Sequence, residues 1–341
     1  MARVLILSLF LLSISVSSRA FHVETISFDE GYKHLFGEDN LVVSADRKRA
    51  NLVLNRYTGS GFISSDYYMH GYFSAFIKLP KENTAGVVVA FYLSNGDVFE
   101  KNHDELDWEF LGNKKGKEWR VQTNIYGNGS TMRGREERYL LPFDPTEAAH
   151  RYSILWTPNV VIFYIDDIPI REVIRTEAMG SDFPSKPMAV YATIWDGSAW
   201  ATDGGKVKIN YKYSPFIAEF SELVLKGCTS APIQQSQMSV DLDRCASTEL
   251  ELMTADFAIM TPKMRSDMRR FREKKMTYTV CYDAVRYQSV FPECDNTPEE
   301  QEKFWQWGES KTVKPRNRSS KRRSPRGQPA VASLYNVQAV V

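Results

Sequence analysis

Cysteine is scarce in this chain, four residues in 341, with none before Cys228 and no Cys-x-x-Cys pair. That spacing excludes the common zinc frameworks. No other cluster of His, Cys, Asp and Glu has ligand spacing, so neither a metal nor a cofactor is expected. Long uncharged apolar runs are also lacking, apart from Val4 to Val16, which is too short to cross a bilayer comfortably. No membrane span is therefore expected. Helix signals are nearly absent between Phe28 and Leu225, which excludes a helical bundle. Acidic residues are missing from Lys311 onward, where eight basic ones stand (Lys311, Lys314, Arg316, Arg318, Lys321, Arg322, Arg323 and Arg326). The chain before that point carries the other 35 basic residues and all 42 acidic ones, so an acidic body precedes a basic tail.

What is present points outward and toward β-structure. Arg3, the apolar run after it and Ser18-Arg19-Ala20 have the order of a secretory leader, residues 1–20, which sets the mature start near Phe21. In an exported chain Cys228, Cys245, Cys281 and Cys294 argue for two disulfides. Three pairings exist, and sequence proximity favours Cys228 with Cys245 and Cys281 with Cys294. Apolar residues make up 43% and aromatics 13%, enough to fill the core of a β-sandwich that can be one domain at this length. Short runs such as Gly86 to Leu93, Val160 to Ile165 and Met188 to Trp195 are nearly continuous in apolar residues and bounded by Gly and Pro. They read as central strands covered on both faces of an all-β sandwich of two antiparallel sheets. From Thr261-Pro262 the texture changes. A helix begins there, and Met264, Met268 and Phe271 form an apolar stripe suited to docking on the sandwich.

The most informative segment is His103-Asp104-Glu105-Leu106-Asp107-Trp108-Glu109-Phe110-Leu111-Gly112. On a strand, Glu105, Asp107 and Glu109 share one face while Leu106, Trp108 and Phe110 share the other. A solvated acidic face is the plain alternative. Three like charges in a row repel, however, and two carboxyl groups working as nucleophile and acid/base on a glycosidic bond give that cost a use. Retention requires carboxyls roughly 5–5.5 Å apart, whereas positions 105 and 109 are about 13 Å apart along an extended backbone. Glu105 with Asp107 is therefore the rival pairing on geometry alone.

The same segment closely resembles the HDEIDFEFLG signature of plant xyloglucan endotransglucosylase/hydrolases, glycoside hydrolases of family 16, and its Leu106 and Trp108 resemble a group III-like member. The resemblance covers roughly Phe21 to Trp307. It implies a jelly-roll catalytic domain over 21–227 and a C-terminal extension with two disulfides over 228–307 that lengthens the acceptor side of the cleft; outside the resemblance, charge combined with Pro, Ser and Gly reads as a disordered basic tail over 308–341. The resemblance implies roles too: Glu105 as nucleophile, Asp107 as its tuner and Glu109 as general acid/base. The expected substrate-binding residues are Glu109, Gln122, Asn124, Arg135, Glu136, Trp195, Trp200, Gly204 and Arg286. Trp195 and Trp200 would be a platform for the acceptor sugar, although a buried strand end also explains Trp195.

Two departures from the family stand out. The N-glycosylation sequon usual after the catalytic strand is broken by Asn113-Lys114-Lys115, and Asn128-Gly129-Ser130 is the expected acceptor instead, with Asn317-Arg318-Ser319 a second formal match. Asp203 stands where a basic residue is common. The expected activity is retaining transfer between xyloglucan donor and acceptor chains by a secreted, monomeric enzyme of the cell wall and apoplast. Xyloglucan hydrolysis or glucan binding without catalysis are the alternatives. The basic tail would hold the enzyme on polyanionic wall polymers rather than on nucleic acid, which export argues against.

Overall fold

A computed structural model describes residues 21–230, 238–283, 286–287, 289–294, 298 and 302. The leader, the tail and Asn317 lie outside the described residues. In chain order the strands are β1 Tyr32–Phe36, β2 Leu41–Val43, β3 Arg49–Leu54, β4 Ser60–Ser64, β5 Tyr67–Lys78, β6 Val87–Ser94, β7 Glu105–Leu111 and β8 Arg120–Tyr126. They continue as β9 Glu137–Leu140, β10 His150–Trp156, β11 Val160–Ile165, β12 Ile168–Ile174, β13 Ala189–Asp196, β14 Phe216–Ser230 and β15 Met276–Thr279. The named α-helices among the described residues are α1 Phe28–Gly31, α2 Met238–Thr254 and α3 Pro262–Lys275, besides short 3-10 turns.

Two antiparallel sheets form a jelly-roll sandwich. The front sheet runs β1-β4-β13-β6-β7-β8-β9-β15 and the back sheet β12-β11-β10-β5-β14-β3-β2. The alternation in β7 decides how they meet. Leu106, Trp108 and Phe110 are completely buried. Trp108 meets Tyr152 and Phe163 of the back sheet edge-on, each at 5.4 Å, and Phe110 meets Tyr152 at 4.6 Å. The Trp108 indole N–H donates to the Ser153 carbonyl at 3.2 Å, so the buried ring leaves no polar atom unpaired. Each such side chain contributes about 1.5–3 kcal/mol by leaving water. The back of β7 thus offsets the cost of gathering acids on its front.

The run in β11 is covered on both faces, whereas those in β6 and β13 turn their second face to the front of the sheet, with Ala90 and Tyr92 in register with the acid row and cover only at one end. Val88 of β6 lies under the loop that follows β13, where a Cβ on Gly197 would come within 2.4 Å of it. Ile162 and Tyr164 of β11 are sealed from outside by Leu252 of α2 and by Phe257, in a second apolar cluster that Met264 of α3 joins. Thr261 caps α3 as its sequence predicts, its hydroxyl accepting from the Met264 N–H at 3.2 Å, with Pro262 in the first turn.

The cysteines pair as Cys228–Cys245 and Cys281–Cys294. The first bond ties the last strand of the back sheet to α2. The C-terminal segment does more than dock, because β15 pairs with β9 and becomes the edge of the front sheet.

Candidate active site

Register places the site. Across the front sheet, β7 aligns Glu105 with Ser94 of β6 and Tyr126 of β8, Asp107 with Tyr92 and Asn124, and Glu109 with Ala90 and Gln122. One strand further out, Arg138 of β9 stands opposite Gln122. On the other side Tyr191 of β13 stands opposite Tyr92. The carboxylates therefore sit mid-sheet, with amides and a guanidinium on one side and tyrosines on the other. Asp107 is only 6% exposed, and Glu105 and Glu109 are half-buried.

Electrostatics sets Asp107 apart from the two glutamates. Burial pushes Glu105 up to about 7, with the Glu109 charge adding to it; the Ser94 hydroxyl and a hydrogen bond from Asp107 act against the rise. Burial likewise drives Asp107 well above the usual carboxylate range, and the charges of Glu105 and Glu109 push it the same way. Asp107 therefore keeps its proton and donates it to Glu105, which favours Glu105 as an anion. Burial raises Glu109 to about 7 as well, helped by the Glu136 charge and opposed by Gln122 and Arg138. This arrangement makes Asp107 a hydrogen-bond donor and leaves Glu105 and Glu109 as the two acids raised to about 7.

Gln122 is oriented by its neighbour. The guanidinium of Arg138 can only donate, and its Nε reaches Gln122 Oε1 at 2.7 Å. The amide nitrogen must then face Glu109, donating to its Oε2 at 2.5 Å. That leaves the other oxygen of Glu109 as the seat for a transferable proton. Asn124 holds its own oxygen on the Ile125 and Arg135 N–H groups at 2.9 and 2.8 Å and turns its amide nitrogen toward Asp107.

The remaining expected residues divide. Trp195 and Trp200 come together as a half-exposed pair, rings 6.1 Å apart, so Trp195 is not a core residue. Gly204 adopts φ +64° with open space around it, whereas at Gly205 (φ +79°) a Cβ would lie 2.0 Å from the Ala199 carbonyl. The close approach that shapes this loop is thus at Gly205. Glu136 is buried and pairs with Arg286 at 2.8 Å, which brings the extension to the edge of the acid row. Arg135 departs from expectation. Its side chain has no exposed surface, pairs with Asp182 at 3.0 Å and Glu293 at 2.6 Å, and lies over the Phe291 ring. That side chain clamps the extension and cannot be reached by a sugar.

Arg138, three residues on and on the face of the row, is the arginine that sequence reasoning missed. Asp104 was missed as well. It is completely buried and accepts from the N–H groups of Asn128, Ser185 and Lys186 at 2.7–2.8 Å and from Lys186 Nζ at 2.6 Å, fixing the entry to β7. Asn128 itself is exposed in the turn after β8 with φ +52°. The two departures from the family pattern meet, because Lys114 Nζ lies 2.7 Å from Asp203 and joins the β7–β8 turn to the loop that carries Trp200.

A hollow of about 700 Å³ lies elsewhere, bordered by Lys115, Trp119, Phe143 and Lys275 and by none of the three carboxylates. An open face crossed by a chain does not need an enclosed pocket. Among the described residues no group of His, Cys, Asp and Glu could hold a metal, and no helix is long and apolar enough to cross a membrane.

Comparison with known proteins agrees with this geometry. Residues 28–213 match Glycosyl hydrolases family 16, and residues 249–294 match the xyloglucan endo-transglycosylase (XET) C-terminus. The chain is similar to the probable xyloglucan endotransglucosylase/hydrolase protein 30 of Arabidopsis thaliana, 57% identical over 296 residues that cover 86% of this chain and 85% of the relative. It is also 56% identical to probable protein 27 of that series over 89% of each chain, and 51% identical to probable protein 29 over 92% and 90%.

Proposed function

This chain belongs to glycosyl hydrolases family 16, among the xyloglucan endotransglucosylase/hydrolases, and from that premise we propose that it cuts xyloglucan and rejoins the cut chain to another. Glu105 attacks the anomeric carbon while Glu109 protonates the departing glycosidic oxygen. The sugar is then held as an ester on Glu105. A hydroxyl of a second xyloglucan chain, deprotonated by Glu109, attacks that ester, releases Glu105 and retains the configuration. Asp107 gives its proton to a hydrogen bond with Glu105 and so stabilises the carboxylate before attack and after release. The observation that carries the assignment is the placement of three acids on one face of β7, in register with Tyr126, Asn124 and Gln122, with the Gln122 amide donating to Glu109.

Transfer over hydrolysis is supported by Trp195 and Trp200, whose half-exposed faces suit the apolar C–H faces of an acceptor glucose. It is supported also by β15 and Arg286, which widen the face beyond Arg138. We further assign the chain to a group III-like subset, secreted to the cell wall and apoplast as a monomer glycosylated at Asn128, with the domain limits given above. Incubation with xyloglucan and a labelled xyloglucan oligosaccharide tests the reaction. Label in long chains exceeding new reducing ends is expected; new reducing ends in excess would make it a hydrolase, and neither product with retained binding would make it a binding module.

A further inference from the structure

Far from the acid row, the turn between β11 and β12 consists of Asp166 and Asp167, both in left-handed conformation at φ +47° and +63°. Asn-Gly is the usual occupant of such a turn. Two aspartates there accept backbone strain, and each carboxylate has a task. Asp166 takes His150 Nδ1 at 2.7 Å and the Arg151 N–H at 2.9 Å. Asp167 takes Arg151 Nη1 at 3.1 Å and the backbone nitrogen of Phe21 at 3.2 Å. Arg151 also donates to the Phe21 carbonyl at 3.2 Å, so the backbone of this one residue is held from both ends.

The Phe21 ring completes the arrangement. It stands edge-on to Tyr164 at 5.4 Å, Phe257 at 6.1 Å and Tyr72 at 6.4 Å, and Phe257 is itself stacked on Tyr72 at 4.4 Å. Tyr164 donates its hydroxyl to the Phe257 carbonyl. Strands β5 and β11 thus meet the α2–α3 linker in an aromatic box that Phe21 closes.

We propose that this box with Asp167 is a binding site for the chain's own processed amino terminus, made when the leader is removed between Ala20 and Phe21. Hydrolysis of that bond by an export peptidase consumes one water and leaves a carboxylate on Ala20 and an ammonium on Phe21. The uncleaved chain offers Asp167 one neutral N–H. The cleaved chain offers a positive group with further N–H donors, which pairs with Asp167 Oδ2 while Arg151 keeps Oδ1. Processing thereby pins the α2–α3 linker, and with it the extension, to the back sheet. The inference shares the export reading but not the glycosyl-transfer reading, and its test reads the terminus and stability rather than activity.

The secreted protein should begin at Phe21 by amino-terminal sequencing. Phe21→Ala should lower its unfolding midpoint by roughly 3–6 °C and speed proteolysis between Thr254 and Pro262. A Gly-Ser pair added before Phe21 should also lower the midpoint, and Asp167→Asn should abolish the difference between extended and unextended chains. A different mature terminus, or an extension penalty unchanged by Asp167→Asn, would overturn the proposal.

Discussion

The front sheet buries two sets of acids, and they are tuned in opposite directions. Glu105, Asp107 and Glu109 face forward from β7, and the groups that steady Glu105 and Asp107 are neutral: the Ser94 hydroxyl, a hydrogen bond within the row and the Asn124 amide. Glu137 of β9 faces back, in register with Thr123 behind the same sheet. Burial would raise Glu137 too, but Arg272 and Arg171 overrule it and hold it down at about 2. Arg272 grips both its oxygens, at 2.6 and 2.8 Å, and Thr279 donates at 3.1 Å. Burial therefore leaves Glu105 and Asp107 holding protons where their steadying partners are neutral, and Glu137 a permanent anion where two guanidiniums meet it. The first arrangement suits the proposed acid–base chemistry. The second fastens α3 and β15 of the extension to the sandwich.

The largest expected effect breaks the front half of this comparison. Glu105→Ala should reduce transfer to the blank, and Glu109→Ala should lower it by about 10²–10⁴-fold, both measured with labelled oligosaccharide and with no fall in unfolding temperature. The back half is broken by Arg272→Ala, which leaves the buried Glu137 with the longer Arg171 pair at 3.5 Å in place of two short guanidinium contacts. A loss of about 3–5 kcal/mol of stability is expected, partly restored by adding Glu137→Gln, as read by denaturant unfolding.

pH sharpens the contrast. The raised acids hold protons in the folded state that the unfolded chain releases, so their cost is absent below the ordinary carboxylate value of 4.5. It grows as pH rises and is complete above about 7. Glu137 behaves in reverse, its contribution present above 4.5 and lost as pH falls toward 2. Asp107→Asn should therefore stabilise the protein at pH 7, and much less at pH 4, while lowering kcat. Thermal melts at the two pH values check this. The smallest effect is at the exposed Lys114–Asp203 bridge. Lys114→Ala should cost about 0.2–1 kcal/mol and show itself instead as a changed KM for the acceptor, because the bridge steadies the loop bearing Trp200.

Much of this was legible in the sequence because it rests on period and local chemistry. Alternation in residues 105–111 gave the strand, its buried face and its acid face, and Thr261-Pro262 gave the start of α3. What escaped depends on how separate elements meet. Arg135 and Arg138 flank two glutamates in one short segment, and which arginine faces the row follows from the phase of β9 against β8, set by the intervening loop. Asp104 reads as one more surface acid until three backbone N–H groups from distant loops converge on it. Lys114 and Asp203 are 89 residues apart, and β15 joins the front sheet across a longer separation still.

The central claim, that Glu105 is the nucleophile of the forward-facing row, is tested most directly by trapping the intermediate. The enzyme would be mixed with xyloglucan without added acceptor oligosaccharide, quenched in acid, and its peptides mapped by mass. A glycosyl adduct on Glu105, absent from Glu105→Ala, is the predicted result; the same adduct on Asp107 or Glu109 would contradict the account.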